Sequence, residues 1–276
     1  MTAATARYPS GFTVTLLRHR AARDWVVLLP GAGATTSVWS AQVRTFGRHF
    51  NLALVDFPGH RRKRLHQPTR RDDADVAYTV DGLLSELMTA LDAAGIGRCH
   101  VVALSLGTIL ARAWARREPD RLHSAVLAGT IADLRGVTNL LMQCGWYARR
   151  VLPYMVLYRA YAWIIMPGPS HKATRQLFYR DARMLGRCEF HRWFSLSAEV
   201  PALLRTLWET RTPVPTLHVM GASDHMFLAA ARRLAAAEGS SLHVVEGVGH
   251  VCTVEAAGEF NAVALRFLQQ HAGASR

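Results

Sequence analysis

Short apolar runs of strand length alternate with segments of helical periodicity along most of the 276 residues, and few folds accept that alternation. Strands are predicted at Phe12–Leu17, Asp24–Gly31, Asn51–Asp56, His100–Leu104, Ser124–Gly129, Pro215–Met220 and Leu242–Glu246. Between them, helical patterns run from Val76 to Gly95, Gly107 to Arg117 and Leu228 to Ala237, and a last helix reaches about Gln270. The fold class this implies is α/β: a mostly parallel, doubly wound sheet with helices on both faces. The rhythm breaks once, from Ile131 to Thr212, where no strand pattern occurs and aromatic residues such as Trp146, Tyr154, Tyr158, Trp163 and Phe194 crowd in. Residues 131–212 are therefore expected to form an all-helical cap over the carboxyl edge of the sheet, where open α/β proteins bind ligands. Residues 1–130 and 213–276 are expected to form the core.

Composition narrows the function classes. A formal charge of +13 suggests nucleic acid, but 31 of the 33 basic residues are arginines spread over the whole length. Together with abundant alanine, this is the coding pattern of a GC-rich genome. Arg61 to Arg64, with Arg70 and Arg71, is the one basic cluster, and no interleaved aromatics accompany it. No nucleic-acid partner is expected. Cys99, Cys144, Cys188 and Cys252 lack metal-ligand spacing and read as reduced thiols. No secretory pattern stands in the first fourteen residues, so a cytoplasmic protein is expected. The longest apolar stretch, from Val151 to Gly168, carries Pro153 and a central Arg159. A charge at mid-span costs about 2.5–3.5 kcal/mol, which argues against stable membrane insertion and leaves a lid or a segment resting on a membrane surface.

Ser105 stands between strand and helix, with Ala103 two residues before it and Gly107 two after. Small residues at both places suit a sharp turn that lifts a serine Oγ above the sheet, a variant of the nucleophile elbow. A structural serine is the plain alternative. A nucleophilic serine needs a base, and the base an orienting acid. Asp224 follows one late strand and His250 the next, so each of the three residues lies just beyond the carboxyl end of a different strand. The glycine-bearing run from Pro30 to Thr36 follows the second predicted strand. Its Ala32 N–H, with the Leu106 N–H, is placed to bind an oxyanion. That run lacks both the dinucleotide and the P-loop spacing, no ligand cluster suggests a metal, and no cofactor is expected.

These motifs, from Val26 to Phe260, resemble the α/β-hydrolase superfamily with a serine nucleophile. Asp56, Pro58, Gly59 and His60 match a loop common in that family, while Arg61 and Lys63 replace its usual glycine and serine. The resemblance implies Ser105 as nucleophile, Asp224 as acid, His250 as base, and Ala32 and Leu106 as oxyanion donors. Asp133 is the alternative acid, since some members carry it after the preceding strand. Cys252, two residues past His250, is a bystander close enough for thiol reagents to interfere. The expected function is a serine hydrolase cleaving an ester, thioester or related acyl bond of an apolar small molecule, free or borne by a carrier. An acyltransferase with the same three residues, or a weakly catalytic small-molecule receptor, is the alternative. Substrate identity and oligomeric state are not legible in the chain.

Overall fold

The computed structural model describes residues 2–8, 11–59, 78–134 and 137–273. The basic cluster at Arg61–Arg64, with His60, Arg70, Arg71 and the expected helix start at Val76, lies outside them. The strands are β1 (Thr2–Arg7), β2 (Thr13–Arg18), β3 (Trp25–Leu29), β4 (Asn51–Asp56), β5 (Cys99–Leu104), β6 (Leu122–Ala128), β7 (Thr216–Gly221) and β8 (Ser241–Val245). They form one eight-stranded sheet in the order β1-β2-β4-β3-β5-β6-β7-β8, in which β1 and β2 pair antiparallel and β3 to β8 run parallel. Strands β3, β4 and β5 are buried along their whole length, which is why they read as unbroken apolar runs without alternation.

The helices are α1 (Ser40–Phe46), α2 (Val80–Ala93), α3 (Leu106–Arg117), α4 (Val137–Ala148), α5 (Tyr154–Ile165), α6 (Lys172–Ala182), α7 (Arg187–Ser195), α8 (Val200–Glu209), α9 (Leu228–Glu238), α10 (Cys252–Glu255) and α11 (Ala257–Gln270). In α2 the buried residues Val80, Leu83, Leu84, Leu87 and Leu91 fall on one face, as helical periodicity requires. Thr79 caps its start, accepting from the Gly82 N–H, and Gly95 follows its end at φ +74°. Between β6 and β7 the described residues hold α4 to α8 and no strand.

The structure adds one strand that the sequence reading missed. Thr2–Arg7, exposed throughout, pairs in register with β2, so the run expected as the first strand is the second. With no buried face, the segment shows no apolar alternation. Hydrogen bonding to an available edge, rather than side-chain burial, holds it.

At the amino end of the sheet, His100 is fully buried; its Nδ1 lies 2.8 Å from Ser124 Oγ and its ring sits edge-on to Phe50. Burial, reinforced by nearby His123, His271 and Arg98, pushes its pKa down to about 3. An unfolded histidine titrates near 6.5, so between those values the unfolded chain binds the extra proton and stability falls as pH falls. Denaturation midpoints followed from pH 7 to pH 4.5 are expected to show this loss, up to about 1.4 kcal/mol per pH unit from the one site. His100→Gln, which keeps a neutral polar group facing Ser124, is expected to flatten the profile; identical slopes in both proteins would contradict it.

Candidate active site

Strand order reverses between β3 and β5: β4 lies beyond one and β6 beyond the other. At such a switch point the loops leaving two neighbouring strands diverge and open a crevice. Ser105 leaves β5 there with φ +52° and ψ −118°, the one non-glycine residue at positive φ among those described. Holding a serine in that region costs about 1–3 kcal/mol. The turn is forced by crowding. A Cβ on Gly107 would stand 2.7 Å from the carbonyl oxygens of Leu29 and Pro30, and one on Gly31 would stand 3.2 Å from Ser105 Cβ. The start of α3 thus presses directly against the end of β3.

His250 comes from the loop after β8, three strands away from β5 in the sheet. That loop runs back across the ends of β7 and β6, and two bare glycines let it pass. A Cβ on Gly221 would lie 2.1 Å from the Gly249 oxygen, and one on Gly129 would lie 2.6 Å from the His250 oxygen. The Ser223 N–H donates to the Val248 carbonyl at 2.8 Å and fixes the crossing. His250 Nε2 then lies 2.9 Å from Ser105 Oγ, and its Nδ1 lies 2.8 Å from Asp224 Oδ2. Asp224, buried in the turn after β7, also accepts from the Phe227 N–H at 3.1 Å. The Phe227 ring leans on the imidazole with centroids 5.0 Å apart. A carboxylate holding Nδ1–H leaves Nε2 free to accept the Ser105 proton, which is the requirement for activating a hydroxyl. Asp133, the alternative acid, is not the carboxylate bonded to His250.

Ala32 and Leu106 border the same space as Ser105. Leu106 is the first residue of α3, so its N–H has no partner within the helix. The Ala32 loop is held from both sides. Asp56, at the end of β4, accepts from the Thr36 N–H at 2.6 Å. Asp181, in α6, accepts through Oδ2 from the Thr35 N–H, the Thr35 hydroxyl and the Ser37 hydroxyl at 3.0, 2.7 and 2.7 Å. Tyr158, in α5, donates its hydroxyl to the Ala32 carbonyl at 3.1 Å, and burial raises its pKa. Neither Asp181 nor Tyr158 was singled out as a site residue from the sequence. Asp181 lies 146 residues from Thr35 and sits in no motif; nothing in its neighbourhood signals the contact.

Above Ser105 lies a cavity of about 310 Å³. Its floor includes Ser105, Leu106 and Ile109; its walls and roof come from α4, α5 and α7, among them Leu141, Leu157 and Phe194. Cys252 differs from expectation. It is wholly buried with Sγ 3.4 Å from the Val219 carbonyl, and burial, then Glu255 and Asp224, push its thiol up to about 12. A reagent that needs an exposed thiolate has no such group there. Among the described residues, no group of three or more His, Cys, Asp or Glu side chains is placed to hold a metal ion.

The sheet order, the strained serine and the crossing loop are features of one fold family. Residues 26–263 match the model of the alpha/beta hydrolase family, and the chain belongs to it. A putative carbamate hydrolase RutD of Pantoea ananatis is 26% identical over 269 residues, 92% of each chain. A pimeloyl-[acyl-carrier protein] methyl ester esterase of Aeromonas salmonicida is 32% identical over 101 residues; that match spans 37% of this chain and 35% of the esterase. Among solved structures, the enol-lactonase of Burkholderia xenovorans superposes with a TM-score of 0.76 at 21% identity, covering 94% of this chain and 97% of that one. At that identity the likeness is one of fold.

Proposed function

We propose that the protein is a serine hydrolase that cleaves an acyl ester or thioester through an acyl-enzyme, with residues 131–212 acting as a cap that shapes the acyl site. The 2.9 Å contact between Ser105 Oγ and His250 Nε2, at the floor of an apolar cavity, carries this reading. In the proposed cycle Ser105 Oγ attacks the carbonyl carbon while His250 Nε2 takes its proton. Asp224 stabilises the resulting imidazolium. The N–H groups of Ala32 and Leu106 bind the developing oxyanion, where loss of one donor typically costs about 10²–10³ in rate. His250 then protonates the leaving alcohol or thiol, and water, deprotonated by the same imidazole, releases the acid. The named activities of the relatives, ester and carbamate hydrolysis, support acyl chemistry; the acyl-carrier protein named for one of them supports a carrier-borne substrate as a variant of the same reading.

The cavity supports an apolar acyl chain of modest length, since about 310 Å³ stands at the small end of ligand pockets. Each methylene buried is worth about 0.8 kcal/mol, or roughly fourfold in kcat/KM where it is felt in the transition state. Across p-nitrophenyl esters from acetate upward, kcat/KM is expected to climb by about that factor per carbon until the cavity is full, then fall. A decline from acetate onward would remove the apolar acyl site. Transfer to an added alcohol in preference to water would make the protein an acyltransferase.

A further inference from the structure

We propose that the α4–α5 hairpin seats the protein on an anionic lipid surface. Seven of the eight large apolar side chains exposed among the described residues belong to this hairpin and its turn. Val151 and Leu152 form the tip, 80% and 43% exposed. Behind them, Leu140 and Tyr147 stand seven residues apart on one face of α4, and Val156 and Trp163 stand seven apart on one face of α5. Exposed apolar side chains concentrated in one connected segment in this way mark an interaction surface rather than the scattered apolar residues of an ordinary exterior.

The charge of the hairpin names the occupant. From Val137 to Gly168 there are three arginines, Arg149, Arg150 and Arg159, and no acidic residue. Arg159 falls between Val156 and Trp163 on the exposed face of α5, and Arg149 lies 3.2 Å over the Trp146 ring. Large apolar side chains with tryptophan and tyrosine at their margins, flanked by arginine alone, match the headgroup region of an anionic bilayer. No described helix is long and apolar enough to cross a membrane, so the contact is peripheral. The other side of the same hairpin, through Leu141, Ala148, Leu157 and Tyr158, lines the cavity over Ser105. An acyl chain leaving the lipid would therefore meet the cavity wall directly.

Seating needs no chemistry at Ser105, so vesicle binding and ester turnover can fail separately. The test is co-sedimentation of the full chain with vesicles of phosphatidylcholine alone, or with one-third phosphatidylglycerol. Binding is expected to the mixed vesicles, to weaken in high salt, and to be slight on phosphatidylcholine alone. Val151→Asp combined with Val156→Asp is expected to weaken it at least about tenfold, with turnover of a water-soluble ester unchanged. Arg149→Ala with Arg150→Ala, which leaves the apolar face intact, is expected to remove most of the preference for phosphatidylglycerol, and it stands as the test if the aspartate variant does not fold. Absence of vesicle binding, or equal binding by wild type and both variants, overturns the proposal. A dimer in light scattering that the aspartate variant dissolves, without vesicle binding, overturns it in favour of a second copy of the chain.

Discussion

Ser105→Ala is expected to lower ester turnover by about 10⁴-fold or more while leaving a folded protein. Among the described residues the serine hydroxyl is hydrogen-bonded to His250 Nε2, and in the proposed cycle removing it takes away the atom that forms the acyl bond. Alanine inherits the backbone at φ +52°, so the strain of the turn remains. Ser105→Gly relieves it, because glycine enters that region freely, and is expected to melt higher than the alanine variant while being equally inactive. The pair separates two explanations of lost activity. If the serine served only the turn, the glycine variant would keep the activity; if it is the nucleophile, neither does. Calorimetry and a p-nitrophenyl ester assay on both variants read the difference.

Asp224→Asn is expected to cost about 10³–10⁴ in kcat with little change in KM. The effect runs through the tautomer. Asp224 Oδ2 accepts from Nδ1, so the imidazole carries its proton there and keeps Nε2 open towards Ser105. An amide can turn its NH2 to Nδ1, which must then accept, and the proton moves to Nε2. Ser105 would face a donor where it needs a base. Raising the pH does not restore the correct tautomer, so the deficit is expected to persist across the neutral range. Asp133→Asn serves as the control: the acid bonded to His250 is Asp224, and the Asp133 variant is expected to stay within about tenfold of wild type. Equal losses in the two variants would contradict the assignment.

How much of this was legible in the chain follows from what each feature depends on. The central strands were readable because burial on both faces demands unbroken apolar runs, as in Val26–Leu29 and Leu52–Val55. Ser105 was readable because the elbow carries its signal in its own spacing, with small Ala103 and Gly107 two residues to either side, even though the Leu29 and Pro30 oxygens that Gly107 must avoid belong to another strand's end. Asp224 and His250 could be placed because a parallel sheet gathers strand ends at one edge. The loop that carries His250 back over two strands could not be foreseen, since Gly221 and Gly129 have their meaning only against Gly249 and His250, 28 and 121 residues further on. β1 escaped notice because its stability comes from backbone pairing, which leaves no apolar signature. Asp181 and Tyr158 escaped because contacts spanning more than a hundred residues follow no spacing. The long apolar stretch expected as a lid or a surface-resting segment has one side lining the cavity and another exposed, an arrangement that its composition alone does not reveal.

The most direct trial of the account is the site of covalent attack by a fluorophosphonate, which reacts with a serine only when that serine is made nucleophilic. Peptide mass spectrometry is expected to place a single adduct on Ser105, with labelling lost in Ser105→Ala and slowed at least about a thousandfold in His250→Ala. An adduct on another residue, or equal labelling of wild type and Ser105→Ala, would contradict the claim that this hydroxyl is the reacting group.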